Sequence, residues 1–211
     1  MNRKIIFLCA VCTFTIASLS AQNSGRRDNL EFGFKAGANF SNVWDTRSQD
    51  FTADAKTGFA GGVYAGIPIG TIFGIQPEIL FSQKGFKGEG RMLGFPYSFS
   101  RTTSYIDIPL QIQIKPTDYF TLVAGPQFSY LAHQSDKYSF AGNTTVLEQE
   151  FENENIRKNI LGFVAGFDFI YRDAVLSTRV GWDLQTNHGD GNSSTPRYKN
   201  QWLQLTLGFK I

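Results

Sequence analysis

From about residue 30 onward, apolar and polar residues alternate with a period of two. Leu203, Leu205, Leu207, Phe209 and Ile211 alternate with Trp202, Gln204, Thr206, Gly208 and Lys210. Ile106, Ile108, Leu110, Ile112 and Ile114 alternate with Asp107, Pro109, Gln111, Gln113 and Lys115. A helix would scatter these residues around its circumference, whereas a strand sorts them onto two faces. Six further stretches, about 30–43, 57–68, 73–86, 119–133, 157–172 and 174–187, show the same pattern less cleanly, so eight strands are predicted.

The connections alternate in length. Those near 69–72, 115–118 and 172–174 are tight; those near 44–56, 87–98, 134–155 and 188–198 are long, polar and rich in Gly, Asn, Ser and Asp. Short turns at one rim and long loops at the other predict an all-β fold: an eight-stranded antiparallel up-and-down transmembrane β-barrel in the cell outer membrane. Both termini would then lie at the periplasmic rim. Strands of about 12–17 residues exceed the 9–11 that cross the hydrocarbon at a tilt, so the barrel should rise above the outer surface.

Alternation alone does not say which face meets lipid, because a soluble lipocalin-like ligand-binding barrel alternates too. The glycines decide. Gly33, Gly37, Gly58, Gly62, Gly66, Gly125, Gly162, Gly166, Gly181 and Gly208 share the polar face. A narrow bore needs that room, whereas a solvated exterior would gain nothing from it. The other face carries Phe32, Phe34, Phe40, Phe120, Phe128, Phe163, Phe167, Phe169 and Phe209, too bulky together for such a lumen. Apolar-out is the prediction. Pro77, Pro109 and Pro126 fall inside predicted strands, where each removes a ladder donor, and bulges or register changes are expected there. Trp44, Trp182, Tyr105 and Tyr130 lie toward the long-loop ends, where an aromatic girdle is expected.

Upstream of the strands, Arg3 and Lys4 precede an apolar stretch from Ile5 to Ile16, followed by Ala17-Ser18-Leu19-Ser20-Ala21. This is the layout of a signal peptide over 1–21, leaving a single barrel domain over 22–211. Both cysteines, Cys9 and Cys12, lie in that leader, so the mature chain offers no thiolate chemistry. Of 20 Lys+Arg the leader takes two, and of 18 Asp+Glu none, which leaves 18 of each sign. No basic stripe points to nucleic acid.

Gln76-Pro77-Glu78-Ile79, Tyr105-Ile106-Asp107-Ile108-Pro109-Leu110 and Ala124-Gly125-Pro126 together resemble the PorT-like outer-membrane β-barrel family over the whole mature chain. The resemblance implies an outer-membrane barrel. The family's named member assists protein secretion and gliding. The chain departs from the usual barrel-assembly signal by ending in Ile211 rather than an aromatic, which leaves Phe209 to carry that recognition. The partners expected are outer-membrane lipid, the barrel-assembly machinery and a protein bound through exposed loops or the periplasmic rim.

Chemistry is sparse. Counted from the short-turn rim, Lys35, Glu78 and Arg179 fall about five residues up their ascending strands, Asp168 about four up its descending strand and Asp107 about eight. They are predicted to form a lumen charge cluster that plugs the bore, since unpaired charges away from water are costly. A proton or ion path is the functional alternative. An outer-membrane lipid hydrolase would need His133 or His188 beside a serine and an acid. Ser129 shares a strand face with His133 but lies about 13 Å away at strand rise. Neither histidine has partners for a metal, and Gly61-Gly62 and the 85–90 glycines lack the strand-to-helix setting of a phosphate cradle. The acidic run 148–154 is expected to be a solvated loop face. The prediction is a non-catalytic barrel without a cofactor, in a structural, binding or secretion-accessory role.

Overall fold

The computed structural model describes residues 29–45, 53–92, 95–140, 143–148, 156–187 and 198–211. The proposed leader 1–21 and most of the acidic run fall outside these residues. Nine strands occur among those described: β1 (Glu31–Asp45), β2 (Ala53–Pro68), β3 (Phe73–Met92), β4 (Phe95–Thr117), β5 (Phe120–Phe140), β6 (Asn143–Glu148), β7 (Asn159–Tyr171), β8 (Ala174–Asp183) and β9 (Tyr198–Lys210). All pairings are antiparallel, and the ring β1-β2-β3-β4-β5-β7-β8-β9 closes through β1–β9 and β4–β5. This is the eight-stranded barrel. β6 stands outside the ring and adds to the upper part of β5, from Ser135↔Glu148 to Phe140↔Asn143.

The faces sort as predicted. Leu203, Leu205, Leu207 and Phe209 point outward, as do Ile108, Leu110, Ile112 and Ile114, with Leu207 67% and Ile112 61% exposed. Their polar neighbours Gln204, Thr206, Gln111 and Gln113 are buried inside. A lipocalin would have the opposite arrangement. Two glycines show why the inner face needs them. The Tyr64 ring lies across Gly33, its cross-strand partner, and the Trp202 ring across Gly181. A Cβ at either position would intrude on the ring.

Three expectations need correction. The 87–98 and 134–155 stretches are not simply loops. β3 and β4 pair without a break from Leu80↔Asp107 to Met92↔Phe95, and β5 continues to Phe140 before turning into β6. Above the bilayer the outer face of the hairpin meets water instead of lipid, with Lys87 and Ser98 exposed, so the alternation fades while the ladder continues.

Nor do the prolines shift the register. Each interrupts one seam for two pairs and leaves the register unchanged on either side: Pro77 in β2–β3, Pro109 in β3–β4 and Pro126 in β4–β5. The register shifts fall instead at Ala55/Ala60, Ser104/Tyr105 and Ile114/Thr117.

Tyr105 is not in the girdle. It shares parity with Asp107 and is buried in the lumen, whereas Trp44, Trp182 and Tyr130 are exposed on the outer wall.

Candidate functional site

The lumen is the candidate site, and its wall explains its contents. Lys35 on β1 sits opposite Gly62 on β2 and Gly208 on β9, and Arg179 on β8 sits opposite Gly166 on β7. Gly208 and Gly166 leave room for these cations, since a Cβ at either would crowd Lys35 or Arg179. Lys35 Nζ lies 2.6 Å from Glu78 Oε2, and Arg179 Nη2 lies 3.6 Å from Glu78 Oε1. Arg179 also forks onto Asp168, with Nη1 2.7 Å from Oδ1 and Nη2 donating to Oδ2 at 2.9 Å. Its Nε donates to Gln111 Oε1 at 2.9 Å. Gln76 Nε2 donates to Glu78 Oε1 at 2.6 Å, and Gln113 donates to Gln76 in turn. Arg179 is 1% exposed and Lys35 2%. Two cations and two carboxylates thus meet at one level, joined by amides.

Asp107, the fifth residue of the predicted cluster, is elsewhere. The register Leu80↔Asp107 sets it higher, beside Lys84, whose Nζ is 3.0 Å from Asp107 Oδ2. The Lys84 ammonium lies 3.7 Å from the Trp202 ring centroid and 4.9 Å from that of Tyr105. Asp183 accepts from Asn200 Nδ2 at 2.6 Å. Between the two charged levels, Asn39 donates to Ser82 Oγ at 2.7 Å and accepts from Gln204 at 3.0 Å.

Two more ion pairs complete the column. At the short-turn rim Lys210 Nζ is 2.9 Å from Glu31 Oε1. Above the apolar belt, Arg101 Nε and Nη2 donate to the two Asp136 oxygens at 2.9 and 2.6 Å. Burial opposes the Arg101 charge, but the bonds to Asp136 and the Tyr198 oxygen outweigh it and raise the guanidinium's pKa. Burial likewise pushes the Tyr198 phenol up.

Lys84, Arg101, Asp136, Glu31 and Lys210 were missed from the sequence. Parity alone would have found Lys84, which shares a face with Glu78, and Arg101, which shares one with Asp107. Asp136 is hidden by the bulge at Ala132, where Ser104↔His133 is followed by Tyr105↔Leu131. The same bulge turns His133 outward while Ser129 stays buried in the lumen, so the two are not on one face. His188 lies outside the described residues. Among the described residues no group of three His, Cys, Asp or Glu could hold a metal ion.

No curated protein has a sequence that matches this one. Among solved structures, the chain is similar to Ail, the attachment invasion locus protein of Yersinia pestis, at 14% identity and a TM-score of 0.46, covering 86% of this chain and 98% of that one. It is also similar to Neisserial surface protein A, at 10% identity and a TM-score of 0.47, covering 87% and 99%. A third likeness is to the outer membrane protein OprG of Pseudomonas aeruginosa, at 12% identity and a TM-score of 0.41, covering 88% and 97%. Residues 20–189 match the family model for the outer membrane protein beta-barrel domain. With its closed antiparallel barrel, apolar exterior and charged lumen, the chain belongs to that family and resides in the cell outer membrane.

Proposed function

We propose that the chain is a non-catalytic barrel whose lumen is held shut by paired charges and whose sheet above the membrane binds a partner, in an assembly or secretion-accessory role. The observation that carries this reading is the length of β3, β4 and β5, which have 20, 23 and 21 residues. About 9–11 residues suffice to cross the bilayer, so half of each strand is spent outside it. β6 widens that outer sheet, and Arg101 with Asp136 braces its inner side. Closure of the lumen is supported by the ion pairs at four heights, because eight strands enclose only enough space for side chains. The resemblance to PorT-like barrels favours an accessory role in secretion. The Ser129–His133 pairing that a lipid hydrolase could use is not supported, since Ser129 is inside and His133 outside.

The test is a shortened hairpin. Phe86 and Arg101 are cross-strand partners, so deleting 87–100 and inserting a two-residue turn closes the ladder at that pair. The variant should still insert and show heat-modifiable mobility, conduct no ions in planar bilayers, and lose the proteins that crosslink to the full chain in native membranes. Retention of the same crosslinked partners would place binding elsewhere, and stepwise conductance by the unaltered protein would refute the closed lumen.

A further inference from the structure

The outer wall where β8, β9 and β1 meet holds a cleft of about 780 Å³, lined by Trp44, Val180, Trp182, Leu184, Lys199 and Gln201 among others. That volume is in the range of pockets that take a drug-sized ligand. Trp44 and Lys199 are cross-strand partners, as are Trp182 and Gln201. Below them on the same wall come Phe40, Val180 and Leu203, all exposed toward lipid. The two indoles therefore mark the upper edge of the apolar belt, the level at which an acyl chain gives way to its headgroup.

Lys199 places a cation at the lip of the cleft. Lys199 Nζ donates to the Leu184 carbonyl at 2.9 Å, a neutral acceptor that leaves its charge in place.

We propose that this cleft seats a phosphorylated glycolipid of the outer leaflet, with an acyl chain against Trp44, Val180 and Trp182 and a phosphate at Lys199. Apolar walls alone would take any lipid. The ammonium at the lip is what selects an anionic headgroup, and it should improve occupancy about fivefold, equivalent to about 1 kcal/mol per cation near an anionic lipid surface.

The indoles provide the readout, because Trp202, the third tryptophan, is buried in the lumen. The full protein is reconstituted in phosphatidylcholine vesicles with brominated chains, which quench lipid-facing indoles, and then titrated with lipid A or with dephosphorylated lipid A. Lipid A should relieve quenching at about a fivefold lower mole fraction than its dephosphorylated form. Lys199→Met should erase that difference, and Lys199→Arg should keep it, with heat-modifiable mobility confirming that each variant is folded. Equal relief by the two lipids, a preference that survives Lys199→Met, or no quenching of the indoles by bromolipid would overturn the proposal.

Discussion

Arg179 is the residue on which the lumen's electrostatics converge, since it forks onto Asp168, reaches Glu78 and donates to Gln111. Arg179→Met leaves Asp168 without its cation and Glu78 with Lys35 alone, and should cost roughly 3–5 kcal/mol in a urea folding titration into vesicles. Arg179→Met combined with Asp168→Leu should recover most of that loss, because the cost lies in the stranded carboxylate rather than in the missing attraction. A single-variant loss below about 1 kcal/mol would mean that water reaches Asp168 freely. Four members of this cluster were legible from parity and height, because a strand fixes the face of each residue and a narrow bore brings one height together. Asp107 does not belong: it stands about eight residues up its strand against about four or five for the others, and the β3–β4 register sets it beside Lys84. A second test at this scale is Gly181→Ala, which puts a methyl group into the Trp202 ring and should destabilise by about 1–3 kcal/mol as overpacking does. Unchanged near-ultraviolet dichroism in that variant would show that the ring is not held there.

A strand's hydrophobic period reports contact with lipid, not the extent of its hydrogen bonding. β9 illustrates the first: its outward residues Leu203, Leu205, Leu207 and Phe209 alternate down to the short-turn rim, and its span was read correctly. β3 and β4 illustrate the second. Their ladder runs on through Lys87↔Ser100 and Glu89↔Ser98, where neither face touches lipid and the sequence reads as loop. The distinction has a measurable consequence. Leu205→Arg, within the belt on β9, should cost about 2–4 kcal/mol, whereas Ser98→Arg, exposed on the outer face of β4 above the belt, should cost about 0–1. Equal costs in folding titrations would mean that the belt extends higher than the aromatic residues mark. Bulges escaped the sequence for a related reason. The shift at Ala132 adds one residue to β5 and reverses parity above it, and nothing in Leu131-Ala132-His133 announces the extra residue. The prolines, which did look like interruptions, are absorbed as missing pairs in single seams.

At the scale of the whole molecule, closure and polarity are linked. An up-and-down barrel with two-residue turns at Asp118–Tyr119 and Arg172–Asp173 gathers its tight connections at one rim and its extended hairpins at the other. The short rim carries Glu31 and Lys210; the long rim carries the sheet built from β3, β4, β5 and β6. Insertion from the periplasm requires the polar hairpins to cross the bilayer, and the barrel then holds them outside, which predicts one orientation. The chain's only cysteines are Cys9 and Cys12, in the leader expected to be removed, so single cysteines can report that orientation without background. Ser98, exposed in the outer hairpin of β4, and Thr71, exposed in the β2–β3 turn, are suitable positions. A membrane-impermeant maleimide should label Ser98→Cys on intact cells and Thr71→Cys only after the outer membrane is permeabilised. Labelling of Thr71→Cys on intact cells, with Ser98→Cys protected, would invert the barrel and put the extended sheet in the periplasm. The binding surface would then have to be sought among periplasmic partners instead.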